Sequence, residues 1–233
     1  AFPVPFEMLV RHGIDIRDEV AEARRELPIA PLKKEMITPA AGCIMEAARD
    51  LGYPWNPLDK IMYQDRWKPE FPFGYYGDPN GVKWSSRMFV REAQRNGTVL
   101  AARARVTRVI VEKGAAVGVE YLQKGALKKV FAERVIVSAG GIGSPAILRK
   151  SGIRGVGRDF FFDPLVTVCG ECADGPIKQG NEIPMSTGCH MEEEGYVMTD
   201  MAVTDILDNL FAAGVLRPKG LFRSSRTLRI MVK

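Results

Sequence analysis

The hydrophobic positions of this chain keep two different periods, and each change of period marks a new element. Ala40, Ile44, Ala47, Ala48 and Leu51 recur at helical spacing. Thr38-Pro39 opens that run with an N-cap hydroxyl and a proline at the first helical position, and Gly52 supplies the stop. Upstream, the charged stretch from Asp15 to Glu26 predicts a helix that ends before Pro28, because proline excludes the residue ahead of it from helical geometry. Phe89, Val90 and Ala93 predict a further helix, capped by Ser85 or Ser86 and stopped by Gly97. From Thr98 the period shortens to that of strands. Val99 to Val111 predicts one strand, Glu112-Lys-Gly114 a turn, and Ala116 to Leu122 the returning strand of a hairpin. Lys128 to Ser138 predicts a third, and its apolar run Val135-Ile-Val137 is the pattern of a strand buried on both faces. Short strand-like pieces follow Gly157 ("PLVTVCGEC", "GYVMTDMAV"), then a short helix over Thr204 to Ala213 and an apolar run from Leu228 to Val232.

Residues 53–83 keep neither period. They are rich in Pro, Gly, Trp and Tyr and predict a long loop with aromatic anchors. Loops of that length serve as lids or interface segments, or run over the surface pinned by their aromatics.

Composition narrows the class. With 233 residues, 46% hydrophobic and 26% charged, the chain has the make-up of an ordinary globular protein and length for one large domain or two small ones. The net charge of +5 is spread thinly, and no basic run suggests nucleic acid as a partner. Four cysteines are too few for a disulfide scaffold at this length, which favours a cytoplasmic setting. No segment approaches the roughly 18 to 20 continuous apolar residues of a membrane helix, and the first residues lack the pattern of a signal peptide. The chain begins without Met and stops on an apolar run, so both ends read as cut.

Candidate chemistry concentrates in "VIVSAGGIGSPAILRKSG", residues 135–152. A strand, a glycine turn and a helix start in succession can hold a phosphate or a dinucleotide, because the first N–H groups of a helix are free to face an anion. Here Ser144 is the predicted cap and Pro145 the predicted first helical residue. Gly140, Gly141 and Gly143 lack side chains that would keep a ligand or another backbone away. The spacing is not G-x-G-x-x-G, and no such fingerprint follows a strand anywhere in the chain, so on spacing alone a tight turn remains open. Cys169 and Cys172, with Cys189 and His190, have the right chemistry for zinc. In strands, however, the members of each pair fall on opposite faces, so no metal site is expected.

The order and spacing of several motifs resemble the glucose–methanol–choline (GMC) family of FAD-dependent oxidoreductases. "RVIVSAGGIGSPAILRKSGI" is similar to that family's second signature. "NGVKWSSRMFVREAQRNGTVLAARARVTRVIVEKGAAVGVEY" resembles its helix, adenine-facing strand and hairpin, and "GVGRDFFFDP" the approach to its substrate domain. The likeness spans about residues 36–205, with Gly141, Arg154, Asp159 and Asp163 departing from the usual pattern. It implies an α/β (α+β) protein: part of an FAD-binding Rossmann-like domain plus part of an antiparallel-sheet substrate domain. The expected division is a helical lead-in and aromatic lid or loop over 1–83, a flavin-domain portion over 84–158 and a substrate-domain portion over 159–233. The implied activity is oxidation of a small-molecule alcohol by hydride transfer to FAD. The alternative is a truncated, non-catalytic fragment that binds no flavin of its own. Val106 is implied to meet the adenine through its backbone, and Ala139, Gly140, Gly141 and Ser144 to lie at the flavin. The family's dinucleotide fingerprint and catalytic histidine match nothing here. His12 and His190 take no catalytic role, and the missing parts of the same enzyme are the expected partner.

Overall fold

A computed structural model describes residues 6–70, 80–175, 177–214 and 224–233. In chain order the elements are α1 (Phe6–Arg11), α2 (Arg17–Glu26), β1 (Ile29–Pro31), α3 (Pro39–Asp50), β2 (Asn56–Pro57), β3 (Asp59–Ile61), α4 (Arg87–Arg95) and β4 (Arg105–Glu112). They continue with β5 (Ala115–Gln123), β6 (Ala126–Phe131), α5 (Gly140–Lys150), β7 (Val166–Glu171), β8 (Thr187–Met191), β9 (Tyr196–Asp200), α6 (Asp205–Gly214) and β10 (Thr227–Val232). The described residues form two compact units. One is Arg87–Phe162; the other joins the residues up to Ser86 with those from Asp163 onward.

The second of these units is built on a five-stranded antiparallel sheet in the order β2-β8-β9-β10-β7. Helix α3 lays Ile44 and Ala48 against Trp55, Cys189, Leu228 and Ile230 to form one core. A second core gathers Leu32, Met36, Met62, Val82 and Ile183. Trp55 is 1% exposed. Burying an indole leaves its N–H in need of an acceptor, and Thr187 Oγ1 accepts it at 2.9 Å. The Thr187 hydroxyl donates in turn to Asp200 Oδ1 at 2.9 Å, as does Ser186, and the Thr187 N–H joins them. Burial pushes the Asp200 carboxyl upward against these hydrogen bonds and the nearby Lys60 charge. Burial likewise lowers the Lys60 ammonium, which donates to the carbonyls of Pro184 and Met185. Elsewhere in the unit Asp208 of α6 is held between Lys178 and Arg229, all three buried.

Several elements depart from the sequence pattern. Residues 53–83, expected as loop, supply β2 at the sheet edge and β3, which pairs with β1. Residues 71–79, which carry most of the segment's Phe and Tyr, lie outside the described residues. Thr38 stands at the N-cap of α3 but its side chain makes no cap hydrogen bond. The first strand of the predicted hairpin begins at Arg105, not Val99. Val99 is 90% exposed and Arg103 adopts a φ of +53°, so the apolar run before Arg105 turns instead of pairing. The third strand is Ala126–Phe131 and stops short of the predicted Ser138. Val135–Ser138 is not helical, yet it pairs with no strand among the described residues, and Ile136 is 89% exposed. An apolar run becomes a buried strand only when neighbours offer it hydrogen bonds and a covering layer.

Thr187→Val keeps the shape of the side chain but removes the acceptor for Trp55 and a donor to Asp200. It is expected to lower unfolding stability by about 1–3 kcal/mol, the usual cost of stranding a buried polar group. Urea denaturation measures this, and a loss under about 0.5 kcal/mol would show that the hydroxyl carries no such weight.

Candidate functional site

The unit Arg87–Phe162 holds a three-stranded antiparallel sheet in the order β4-β5-β6, with α4 before it and α5 after it. Ser151, just past α5, ties that helix to β4. Its Oγ accepts the Val109 N–H at 2.7 Å and donates to the Ile147 carbonyl at 2.8 Å.

The helix begins earlier than its sequence suggests. Ala139 occupies the N-cap position and Gly140 turns the chain with a φ of +78°, so helical residues precede Ser144. Ser144 is therefore not the N-cap. It lies within the first turns and reaches back, accepting the Ala139 N–H at 3.0 Å. Pro145 lies inside the helix and has no N–H to return to the Gly141 carbonyl.

The glycines here answer to different constraints. A β-carbon at Gly157 would stand 2.9 Å from the Pro145 ring, and one at Gly143 would stand 3.1 Å from Ala139 Cβ. Both are glycine because the chain packs on itself, and Gly157 is also left-handed, with a φ of +68°. Gly140 is glycine because of its left-handed backbone. Gly141 has neither reason. It is exposed and helical, its φ is not positive, and a β-carbon there would meet nothing within 4 Å. Glycine inside a helix costs roughly 1 kcal/mol relative to alanine. The chain carries that cost beside space at Gly140 and Gly141 where a β-carbon would meet nothing within 4 Å among the described residues.

Val106 is half-buried on β4 opposite Tyr121, at a register shift that leaves Thr107 unpaired. Beside it Glu120 is only 9% exposed. Its carboxylate accepts from Arg108 Nε at 3.2 Å and Nη2 at 3.1 Å. Those bonds hold the carboxyl below the usual carboxylate range, against the effect of burial. The structure thus joins Ala139 to Ser144, with Gly140 and Gly141 between them, and places Val106 on the strand to which α5 is tied. Ser151, Gly157 and the Thr107–Glu120–Arg108 group were not singled out from sequence. Ser151-Gly152 reads simply as a helix stop, and a carboxylate's partner across a hairpin shows only once the register is known.

The remaining candidates lie in the other unit. His12 follows α1 and is exposed, while His190 lies on β8, half-buried. Cys189 is in the α3 core, where burial pushes its thiol up. Cys169 is exposed on β7 and Cys172 is half-buried just beyond it. Among the described residues no three His, Cys, Asp or Glu side chains gather as metal ligands, and no helix is long and apolar enough to cross a membrane.

Comparison with known proteins agrees with the motif order. The GMC oxidoreductase profile matches residues 13–165, and the chain belongs to that family. It is 29% identical over 153 residues to an oxygen-dependent choline dehydrogenase of Vibrio vulnificus, covering 64% of this chain and 27% of that protein. It is 33% identical over 114 residues to the human mitochondrial choline dehydrogenase, covering 47% of this chain and 18% of the relative. The solved pyridoxine 4-oxidase from Mesorbium loti shares the fold, with a TM-score of 0.57 at 17% identity over 88% of this chain and 43% of that one. The chain therefore spans about a quarter of the first of these relatives and less than half of the solved structure.

Two measurements follow from this geometry. Gly157→Ala forces a β-carbon onto Pro145 at a φ of +68° and is expected to cost about 1–2 kcal/mol. Gly141→Ala meets open space and is expected to leave stability unchanged or raise it by up to about 1 kcal/mol. Parallel thermal melts separate the two. Glu120 gives a pH test. Its folded-state carboxyl is lowered, so its contribution is present above the ordinary carboxylate range and is lost as pH falls through the lowered value. The melting-temperature gap between the protein and Glu120→Gln should be open at neutral pH and close on acidification. A gap independent of pH would show that charge is not its source.

Proposed function

We propose that this chain contributes to an FAD-dependent oxidoreductase that oxidises an alcohol at its CH–OH carbon. The observation that carries the proposal is Gly141, a helical glycine that nothing among the described residues requires, beside open space at the start of α5. Family membership supports the cofactor, and relatives named choline dehydrogenase and pyridoxine 4-oxidase support the kind of substrate. On this reading the unit Arg87–Phe162 is flavin-domain material, and the five-stranded sheet of the other unit belongs to a substrate domain.

The site residues fit a flavin. Ala139, Gly140 and Gly141 would lie against it, with free N–H groups at the helix start facing its polar chain. Ser144 would hold the turn through Ala139, and the Val106 backbone would meet the adenine. When bound, the flavin supplies a hydride acceptor. The proton acceptor for the alcohol and the glycine turn for the pyrophosphate would come from polypeptide beyond these 233 residues.

Flavin content tests this reading. The 233-residue chain alone is expected to purify without stoichiometric FAD, while the longer polypeptide is expected to purify yellow. In the latter, Gly140→Val should abolish flavin content, and Val106→Ile should be mild because a backbone contact survives a change of side chain. Valine at Gly140 also strains the backbone, so Gly141→Leu is the cleaner variant. It should leave the melting temperature intact and still exclude flavin. Full occupancy in both glycine variants would make these glycines a turn only and remove the site. One equivalent of flavin in the short chain would overturn the need for further polypeptide.

A further inference from the structure

Strand β4 is an edge strand of its sheet, with β5 its one neighbour among the described residues. Opposite residues in an antiparallel pair alternate. One pair exchanges both backbone hydrogen bonds, and the next exchanges none and turns its N–H and C=O outward. The phase of that alternation can be fixed here. The Glu120 carbonyl accepts from Thr107 Oγ1 at 3.0 Å, so it faces β4. Its neighbours Val119 and Tyr121 then face β6, and the residues opposite them, Val109 and Val106, turn their peptide groups to the outer edge of β4. Val109 confirms the phase independently, since its N–H leaves the ladder and donates to Ser151 Oγ on the α5 side.

Val106 and Val109 are three residues apart. In a regular strand, positions three apart face opposite edges. They share an edge here because the ladder shifts register between Val106 and Arg108, leaving Thr107 as an extra residue. The extra residue is held from the partner strand. The Thr107 hydroxyl donates to the Glu120 carbonyl and stands 3.3 Å from its carboxylate, while Arg108 grips that carboxylate with two nitrogens. Glu120 is a buried acid in a unit with few buried residues, and its carboxylate accepts from Thr107 and Arg108. Bulges of this kind re-aim backbone and side chains next to functional sites.

We propose that Thr107 is a positioning residue for the adenine of the cofactor, locked by Glu120 and Arg108. The bulge sets the Val106 N–H and C=O on the open edge of β4, on the side where Ser151 already holds Val109. A neighbouring donor and acceptor on one peptide edge match the ring-nitrogen acceptor and amino donor of adenine. The proposal rests on the flavin reading above and adds the device that aims the strand.

The test uses the FAD-binding protein, with FAD affinity read by flavin fluorescence and Val106 amide exchange read by NMR after the FAD is stripped. Thr107→Val keeps the register and shape but removes the hydroxyl that ties the bulge to Glu120. It should loosen the bulge and weaken FAD binding several-fold, while Thr107→Ser retains affinity and Glu120→Gln behaves like Thr107→Val. A Val106 amide that is already slow-exchanging in the stripped parent overturns the proposal. So does unchanged FAD affinity in folded Thr107→Val and Glu120→Gln. A parent protein with no affinity for FAD overturns the flavin reading itself, which separates the two failures.

Discussion

Asp200 is 3% exposed and must find its hydrogen bonds inside the protein. It finds them in two consecutive residues of the neighbouring chain segment, Ser186 and Thr187, and through the Thr187 hydroxyl it reaches the indole of Trp55. That single carboxylate therefore fixes the end of β9 against the start of β8 and secures the segment that carries β2. The α3 core closes over the same Trp55, and β10 and β7 extend the sheet beyond β9. Sequence-distant segments become one unit because a buried acid, a hydroxyl and an indole each have one good place to bond. The cost is visible in the raised Asp200 carboxyl and the lowered Lys60 ammonium, both driven by burial. A network of this kind specifies a structure when every member is satisfied.

The unit with β4, β5 and β6 rests on a different constraint. Its buried residues are Val109, Ile110, Gly118 and Glu120, a small core for a sheet of three strands and its helices. Backbone geometry carries much of the definition. Gly118 lets β6 approach so closely that a β-carbon would stand 2.2 Å from the Val130 carbonyl oxygen, and Gly157 lets the chain close on Pro145. Ser151 then fastens α5 to β4 through one main-chain N–H. Each contact leaves little room for a side chain, so glycine and serine do the positioning that larger apolar residues do in the other unit.

What the sequence made legible follows from how local the signals are. The helices α2, α3, α4 and α6 announce themselves by spacing and punctuation within about a dozen residues, and each lies where those signals put it. The hairpin turn at Lys113-Gly114 was equally plain. Pairing was not. β2 has two residues and β3 three, and both are strands because distant partners accept them, Thr187 and Gly188 for β2 and Ile29 to Pro31 for β3. Val99 and Val135–Val137 have strong strand-forming side chains and remain unpaired among the described residues, because propensity cannot supply a neighbour. At the glycine turn the residue types were legible and their division of labour was not. Ser144 holds its turn from inside the helix instead of capping it, and the reasons for Gly140, Gly141, Gly143 and Gly157 separate only when the space around each is known.

The flavin reading and the small core of that unit bear on one another. Val99, Ile136, Ile142 and the run Phe160–Phe162 are large apolar side chains left in water. Scattered exposure of this kind is ordinary, but here it falls on stretches that have no strand partner and on the turn that opens α5. Two- and three-stranded sheets reach independent stability only when a hydrophobic face is covered. A dinucleotide laid along Ala139–Gly141 and the open edge of β4 would bury apolar and peptide groups at once. The backbone groups of Val106 would then gain partners that the described residues do not provide. On this view the cofactor is part of the unit's core as well as its chemistry, so folding and flavin binding would be linked: whatever tightens one must tighten the other.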